Sequence, residues 1–287
     1  MNATEWYEQG KVAAINGLEV FFNRSGEGET LLCIHGLPTS SWDFERIWPA
    51  LTSRFDTIAL DLIGLGKSAK PNQPLPISLQ ADVIETLLIK LEIKKAHILA
   101  HDLGDTVAQE LLARKMEKSS PITWLSCIFL NGGIFPETHR PLLIQKLIIS
   151  PIGGFIVKLM SSKSFEKNMK RVFSDKHPPS DEFLKESWNL LNDNNGLRML
   201  NRLIHYMPER VKFRERWVSP LIANVVPLRL INGVDDPISG KHAADRYVEV
   251  VPNSDIVLLE QCGHYPHVET PDEVVKALIE FHNNLRN

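Results

Sequence analysis

Short apolar runs alternate with amphipathic stretches along most of this chain. The apolar runs are bounded by turn-forming residues and predict strands, at residues 18–22, 31–34, 57–60, 96–101, 126–130, 228–231 and 256–259. Stretches with helical spacing lie between them, at residues 42–51, 77–91, 106–113, 240–250 and 272–285. This alternation predicts an α/β fold, with a mostly parallel sheet flanked by helices.

The alternation stops between residues 135 and 219, where helical segments follow one another without a strand pattern. We therefore predict a core in two parts, residues 1–134 and 220–287, with a helical cap inserted at 135–219. Within the cap, the apolar stretch Leu142–Met160 is predicted to be packed core. A lining for an apolar substrate tunnel and a transient membrane contact are the alternatives.

Composition and charge limit the binding partners and the cellular compartment that we expect for this chain. A net charge of −3 provides no broad basic field, so we expect no nucleic-acid partner. Cys33, Cys127 and Cys262 are odd in number and far apart, which indicates free thiols in a reducing compartment. The first residues lack the pattern of a secretory signal, and the stretch at 142–160 is a poor membrane span. We expect a cytoplasmic monomer or homodimer with no stable membrane insertion.

The segment 96–106 has the pattern of a nucleophile elbow, a strand followed by a sharp turn and a helix. Ala100 and Gly104 occupy its two small positions, and Asp102 occupies the central position, where serine is usual. An unperturbed aspartate has a pKa of about 3.9, so Asp102 is an anion at neutral pH and needs no base before it attacks carbon. The product is an ester of the enzyme, and its hydrolysis requires an activated water.

Two residues that follow later strands supply the remaining chemistry. His264 follows the last strand, and an imidazole with a pKa of about 6.5 is suited to take a proton from water. Asp236 follows the preceding strand, and we prefer it to Asp235 as the partner of His264 because of its Gly-x-x-Asp-Pro setting. The backbone amides of Leu37 and Leu103 are predicted to form an oxyanion hole.

Other polar residues receive structural roles. His101 is predicted to make a structural hydrogen bond, His35 to brace its loop, and Asp105 to cap the elbow helix or interact with its dipole. His267 lies three residues after His264, but we find no ligand cluster around it and predict a surface position. The sequence Gly66-Lys67-Ser68 ends like a P-loop but lacks the first glycine, so no nucleotide binding is predicted.

The cap has further residues with specific predictions. Trp188 and Trp217 are predicted to pack in the cap core. The mixed-charge run at 209–216 is predicted to be a solvated face in which Val211 and Phe213 are buried.

Four motifs together resemble the epoxide hydrolase and haloalkane dehalogenase branch of the α/β-hydrolase superfamily. They are His35-Gly36-Leu37-Pro38, the segment 61–68, His101-Asp102-Leu103-Gly104 and Gly263-His264. The segment 131–141 is similar to the mesoderm-specific transcript proteins of animals. The resemblance covers nearly the whole chain, and it implies an α/β-hydrolase core, a helical cap over the active site, and hydrolysis through an aspartyl ester.

The resemblance also bears on the choice of substrate. Similar dehalogenases hold the halide with side chains at the positions of Leu103 and Leu37, and leucine cannot donate a hydrogen bond. Tyr206 lies near the position of a tyrosine that assists epoxide opening. We therefore expect a small apolar electrophilic substrate, most specifically an epoxide, with no cofactor or metal. A haloalkane dehalogenase and a binding protein with little turnover are the alternatives.

Overall fold

An eight-stranded sheet forms the centre of the protein in the computed structural model, which describes residues 1–285. The strands are β1 (Lys11–Ile15), β2 (Leu18–Ser25), β3 (Thr30–Ile34), β4 (Asp56–Leu60), β5 (Lys95–His101), β6 (Thr123–Leu130), β7 (Leu228–Gly233) and β8 (Ile256–Leu259). Their order across the sheet is β1-β2-β4-β3-β5-β6-β7-β8. The strands β1 and β2 pair antiparallel, as do β2 and β4, whereas the other neighbours are parallel. The predicted mostly parallel sheet is confirmed.

The helices flank this sheet and fill the long connection between β6 and β7. They are α1 (Ala3–Gln9), α2 (Trp48–Thr52), α3 (Ile77–Lys90), α4 (Leu103–Met116), α5 (Leu143–Ile149), α6 (Gly153–Lys158), α7 (Ser162–Lys170), α8 (Asp181–Asn192), α9 (Leu197–Leu203), α10 (Tyr206–Lys212), α11 (Arg214–Ile222), α12 (Lys241–Val250), α13 (Pro266–Glu269) and α14 (Pro271–Leu285). The helices α5 to α10 lie in the region predicted as a cap, and α11 begins in this region and ends three residues beyond it. The predicted domain boundaries stay a prediction, and the last two residues of the second core segment lie outside the described part.

Two local predictions differ from the structure at the N-terminal side. The chain forms α1 and β1 where no element was predicted. The apolar pattern of β1 is weak because β1 is an edge strand in which only Ala13 and Ile15 are buried. The predicted helix at 42–51 consists of a short 3₁₀ turn, Ser41–Phe44, followed by the separate helix α2. Pro49 lies in the first turn of α2, where its missing amide hydrogen is tolerated, and it would interrupt a continuous helix.

Helix α4 lies at the centre of the fold. All residues of α4 from Leu103 to Ala113 are buried, and the helix contacts both α3 and α11. Strand β5 leads directly into it and is buried on both faces, which is why its apolar run shows no alternation. The reactive turn therefore lies between two elements that have little freedom to move.

The turn between β5 and α4 brings the backbone of the helix close to strand β3. A Cβ atom on Gly104 would lie 2.2 Å from the carbonyl oxygen of Ile34, so no larger residue fits without movement. Asp102 has φ of 50° and ψ of −105°, a conformation that non-glycine residues rarely adopt. This geometry matches the nucleophile elbow predicted for the segment, and it directs the Asp102 side chain out of the turn.

The cap differs from prediction at several side chains. Val211 is 68% exposed although it was predicted to be buried, and Arg210 is buried although the run was predicted to be solvated. Trp217 packs against the core rather than inside the cap, because its indole donates a hydrogen bond to Glu110 of α4 at 2.8 Å. Trp188 stays within the cap region, with its ring 5.6 Å from that of Phe165. Among residues 1–285, no helix is long and apolar enough to cross a membrane.

Candidate active site

The carboxyl ends of three strands bring Asp102, Asp236 and His264 together. Asp102 follows β5, Asp236 lies three residues after β7, and His264 follows β8. The Nδ1 atom of His264 lies 2.7 Å from Oδ2 of Asp236, and its Nε2 atom lies 3.8 Å from Oδ1 of Asp102. All three side chains are buried, whereas Asp235 is exposed. The structure thus brings together the three residues selected from the sequence.

Asp236 has a hydrogen-bond partner for each carboxylate oxygen. The amide of Ile238 donates to Oδ1 at 2.7 Å, and the Ser239 hydroxyl donates to Oδ2 at 2.6 Å. Asn131 also donates to Oδ2, at 3.0 Å. Burial alone would raise the pKa of Asp236, but His264 and these donors lower it to about 2. Asp236 is therefore an anion whose position is fixed before any substrate binds.

Asn131 is a site residue whose role the sequence did not indicate. It follows β6, and its amide group exchanges two hydrogen bonds with the backbone of Gly233, at 2.6 and 2.9 Å, besides the bond to Asp236. Its own carbonyl accepts a bond from the Asp102 amide at 3.2 Å. Asn131 thus ties the nucleophile turn to the loop that carries the acid. Its position directly after a predicted strand was the one available signal.

The charges around His264 determine its proton affinity. Burial by itself lowers the pKa of His264, but the carboxylates of Asp236 and Asp102 outweigh this effect and raise it to about 9. The imidazole is therefore protonated at neutral pH while Asp102 carries its negative charge. The bond to Asp236 uses Nδ1 and leaves Nε2 directed toward Asp102.

The Asp102 carboxylate has two different environments. The backbone amide of Leu37 donates to Oδ2 at 3.0 Å, whereas Oδ1 faces His264. The loop that presents Leu37 is braced as predicted, since Nε2 of His35 accepts a bond from the Leu62 amide at 3.0 Å. The amide of Leu103 opens helix α4 beside the nucleophile, and its part in an oxyanion hole stays a prediction.

Arg210 is the second site residue that the sequence did not indicate. Its Nη2 donates to the backbone carbonyl of Asp102 at 3.1 Å, and its Nε donates to the Thr106 hydroxyl at 2.6 Å. Its guanidinium carbon lies 4.4 Å from the centre of the Tyr206 ring. A residue of α10 is thereby attached to the reactive turn. Nothing in the mixed-charge run around Arg210 distinguishes it from its exposed neighbours.

Asp105 lies one turn into α4 and does not cap the helix as predicted. Its side chain is buried, and neither carboxylate oxygen has a hydrogen-bond partner among the described residues. Burial and the nearby charge of Asp102 raise its pKa well above the usual range, and Arg210 opposes this effect.

The prediction that His267 lies on the surface is wrong. Its ring is fully buried, 5.0 Å from that of Phe44 and 4.7 Å from that of His101. Asp43, His101 and His267 each offer one possible metal-ligand atom, and these atoms lie within 4.8 Å of one another. His101 also makes the predicted structural bond, because its Nε2 lies 2.7 Å from the carbonyl oxygen of His264. Through this bond, the buried group of Asp43, His101 and His267 contacts the backbone of the loop that carries His264.

A mostly apolar cavity of about 100 Å³ reaches Asp102 and His264. The helices of the cap region contribute most of its lining, with Leu142, Ile144, Gln145, Ile148, Met160, Phe165, Asn168, Met169, Leu200 and Ile204. The stretch 142–160 was predicted as packed core. Five of its residues line the cavity, as in the tunnel alternative, whereas Leu143, Ile152, Phe155 and Leu159 are exposed. Tyr206 is not among the lining residues, whereas Tyr265 is. The carboxylate of Asp102 therefore borders a small, mostly apolar space.

Comparison with known proteins agrees with the fold. The model of the family described as "Alpha/beta hydrolase family" matches residues 31–277. The chain belongs to this family. It is 38% identical to the mesoderm-specific transcript protein of Mus musculus over 97% of this chain and 87% of that protein, which confirms the similarity recognised in the segment 131–141.

Solved structures from the same superfamily share the fold. The haloalkane dehalogenase DatA from Agrobacterium tumefaciens C58 has a TM-score of 0.82 at 17% identity, with 96% of each chain covered. The epoxide hydrolase CorEH has a TM-score of 0.73 at 22% identity, with 96% of this chain and 99% of that chain covered. Membership in the hydrolase superfamily follows from the family match over residues 31–277, and these two likenesses show the fold alone.

Replacement of Arg210 is expected to be much more costly than replacement of an exposed arginine nearby. Arg210→Ala leaves the Asp102 carbonyl and Thr106 without their buried donor, and we expect a loss of about 3 kcal/mol in the free energy of unfolding. Arg214 makes an exposed ion pair with Glu137, so Arg214→Ala is expected to cost less than about 1 kcal/mol. Urea denaturation measures both variants, and equal losses would contradict this assignment.

The raised pKa of His264 predicts a pH-dependent contribution to stability. A pKa of about 9 in the folded state, against about 6.5 in the unfolded chain, means that the contribution is complete below pH 6.5 and is lost as the pH rises through 9. The stability difference between the native protein and His264→Gln should therefore shrink over this interval. Denaturation at pH 6, 7.5 and 9.5 measures it, and a difference that grows with pH would refute the assigned charge.

Proposed function

We propose that this chain hydrolyses an epoxide on a small apolar molecule through an alkyl ester of Asp102. The observation that carries the proposal is the pair of environments around the Asp102 carboxylate, since the Leu37 amide holds Oδ2 and leaves Oδ1 beside His264 and the cavity. A carboxylate in this position is already ionised and needs no base to attack carbon. A serine there would require His264 as its base.

In the first step, Oδ1 of Asp102 attacks a ring carbon of the epoxide and forms a carbon–oxygen bond. The bond between that carbon and the ring oxygen breaks, and the oxygen takes a proton from a tyrosine hydroxyl. The apolar lining strengthens this attack because little water surrounds the carboxylate. The product of the step is a hydroxyalkyl ester of Asp102.

Between the two steps, the proton on His264 passes to the tyrosinate left by the first step, so that the imidazole becomes neutral. In the second step, His264 takes a proton from water, and the oxygen of that water attacks the carbonyl carbon of the ester. The negative charge develops on Oδ2, which the Leu37 amide already contacts at 3.0 Å and which we propose the Leu103 amide also stabilises. Collapse of this intermediate breaks the bond between the ester carbon and the alkoxide oxygen. That oxygen takes the proton of the hydroxyl that came from water, which releases the diol and leaves Asp102 as a carboxylate. Because the ester is uncharged, the charge of Asp102, which helps to raise the pKa of His264, is absent when His264 acts as a base.

The proton donor of the first step is a choice between two tyrosines. Tyr265 lines the cavity, but its hydroxyl is engaged by a hydrogen bond with Thr39. Tyr206 is held against Arg210 next to the reactive turn, and both burial and the charge of Asp102 raise its pKa. We assign the proton donation to Tyr206, which agrees with the role predicted from its position in the sequence.

Halide release is the second candidate because it uses the same ester. A departing halide requires N–H donors at the cavity end, and the side chains of Leu37 and Leu103 provide none. The similarity to DatA and to CorEH does not separate the two reactions, since both show only the fold. The leucine pair favours the epoxide.

The variant His264→Gln should trap the ester, because Asp102 can still attack but no base activates water. Intact-protein mass spectrometry after incubation with a panel of epoxides and haloalkanes measures the added mass. An epoxide adds its full mass, whereas a haloalkane adds its mass less that of the hydrogen halide. We expect the first result, and His205→Gln, which changes an exposed histidine, should show no stable adduct.

Three outcomes would contradict this function. An active Asp102→Ala variant would exclude the aspartyl ester. Adducts formed only with haloalkanes would favour the dehalogenase. Saturable binding of the panel compounds with no adduct and no product, unchanged in Asp102→Asn, would indicate a binding protein.

The tyrosine assignment predicts a separation of the two steps. In the His264→Gln background, Tyr206→Phe should slow adduct formation about 100-fold because the opening oxygen loses its proton donor. The matched change Tyr265→Phe should slow it much less. Time-resolved mass spectrometry measures both rates, and a larger effect at Tyr265 would transfer the role to that residue.

A further inference from the structure

Large apolar side chains are exposed on one side of the cap region. Leu143 at the start of α5 is 70% exposed, and Ile152, Phe155 and Leu159 along α6 are 57%, 62% and 65% exposed. Phe155 lies within α6, and Ile152 and Leu159 directly flank its two ends. Their spacing of three and four residues is that of one side of a helix. Exposed apolar groups that cluster in this way mark an interaction surface more often than a chance feature.

The same segment carries a concentrated positive charge. Residues 142–171 contain six basic residues and a single acidic one, Glu166, within a chain whose net charge is −3. The basic residues are all exposed, and none forms an ion pair among the described residues. They are Lys146, Lys158, Lys163, Lys167, Lys170 and Arg171. We call residues 142–171 the basic apolar face.

The basic apolar face also forms a wall of the active-site cavity. Leu142 and Ile148 line the cavity from α5, and Phe165 and Met169 line it from α7. The helices α5 and α6 contact each other, and both contact α9. The exposed apolar groups are therefore separated from the cavity by only one layer of short helices.

We propose that the basic apolar face docks onto an anionic lipid surface and that apolar substrate enters the cavity from the bilayer. The stripe of Ile152, Phe155 and Leu159 would insert at the level of the headgroups, while the surrounding lysines contact lipid phosphates and carboxylates. Apolar insertion and electrostatic attraction together provide the two signals that reversible membrane binding requires. The charge complementarity identifies a negatively charged bilayer rather than a neutral one. This docking does not depend on the ester mechanism.

Co-sedimentation with vesicles tests the proposal. The probes are vesicles of phosphatidylcholine alone and of phosphatidylcholine with phosphatidylserine at about three to one. The full chain is expected to bind the anionic vesicles at least about tenfold more strongly than the neutral ones, and to dissociate in high salt. Because sedimentation requires no turnover, the inactive variant Asp102→Asn is expected to bind equally.

Two pairs of variants separate this face from the rest of the surface. Phe155→Ser with Leu159→Ser should lower binding about tenfold or more, and the control is Val211→Ser, which changes an exposed apolar residue of α10. Lys163→Glu with Lys167→Glu should abolish the preference for anionic vesicles. Its control is Lys94→Glu with Lys118→Glu, which changes two exposed lysines on the surface of the α/β part of the chain. Circular dichroism checks that each variant is folded.

Specific results would overturn the proposal. These are the absence of binding to either vesicle by the native chain, equal binding to both, or equal losses in the face variants and their controls. An oligomer in solution that Phe155→Ser with Leu159→Ser disrupts, without any vesicle binding, would assign the face to a second copy of the chain instead. Loss of vesicle binding with retained turnover in the face variants would support docking independently of the reaction.

Discussion

The close approach of helix α4 to strand β3 is the constraint on which the active site depends. Gly104 lies so near the carbonyl of Ile34 that even a methyl group would collide with it. The same crowding occurs at Gly36, where a Cβ atom would lie 2.6 Å from that of Asp102. The turn can close only with small residues on both sides, and its closure forces Asp102 into a strained conformation. Because the neighbouring backbone at Gly36 and Gly104 fills the space around the turn, the side chain of Asp102 faces the cavity.

Buried charges then hold the site in place because each one requires a partner. The anion of Asp236 is satisfied by His264 and by neutral donors, and the charge on His264 is maintained by Asp236 and Asp102. Arg210 fastens a cap helix to this arrangement through the Asp102 carbonyl. Removing Asp236 or His264 would leave the other as a buried charge without its nearest partner, which is costly in a low-dielectric interior.

The core and the inserted helices contribute different parts of the site. The core supplies the reactive atoms at the carboxyl ends of its parallel strands, as open α/β sheets generally do. The helices between β6 and β7 determine the shape of the cavity, and residues 142–171 also present a positive and apolar outer face. The cavity beside Asp102 is therefore lined mostly by a segment that contains none of Asp102, Asp236 and His264.

The sequence by itself determined the parallel sheet, the elbow at Asp102 and the order of Asp102, Asp236 and His264. These features depend on local patterns, because residues that directly follow parallel strands meet at one edge whatever the rest of the chain does. Only the tertiary structure decided that His267 is buried and that Arg210 reaches the nucleophile. Periodicity indicates that a side of a helix is covered, but not which distant residue covers it, and a charged residue reveals its buried partner only after folding.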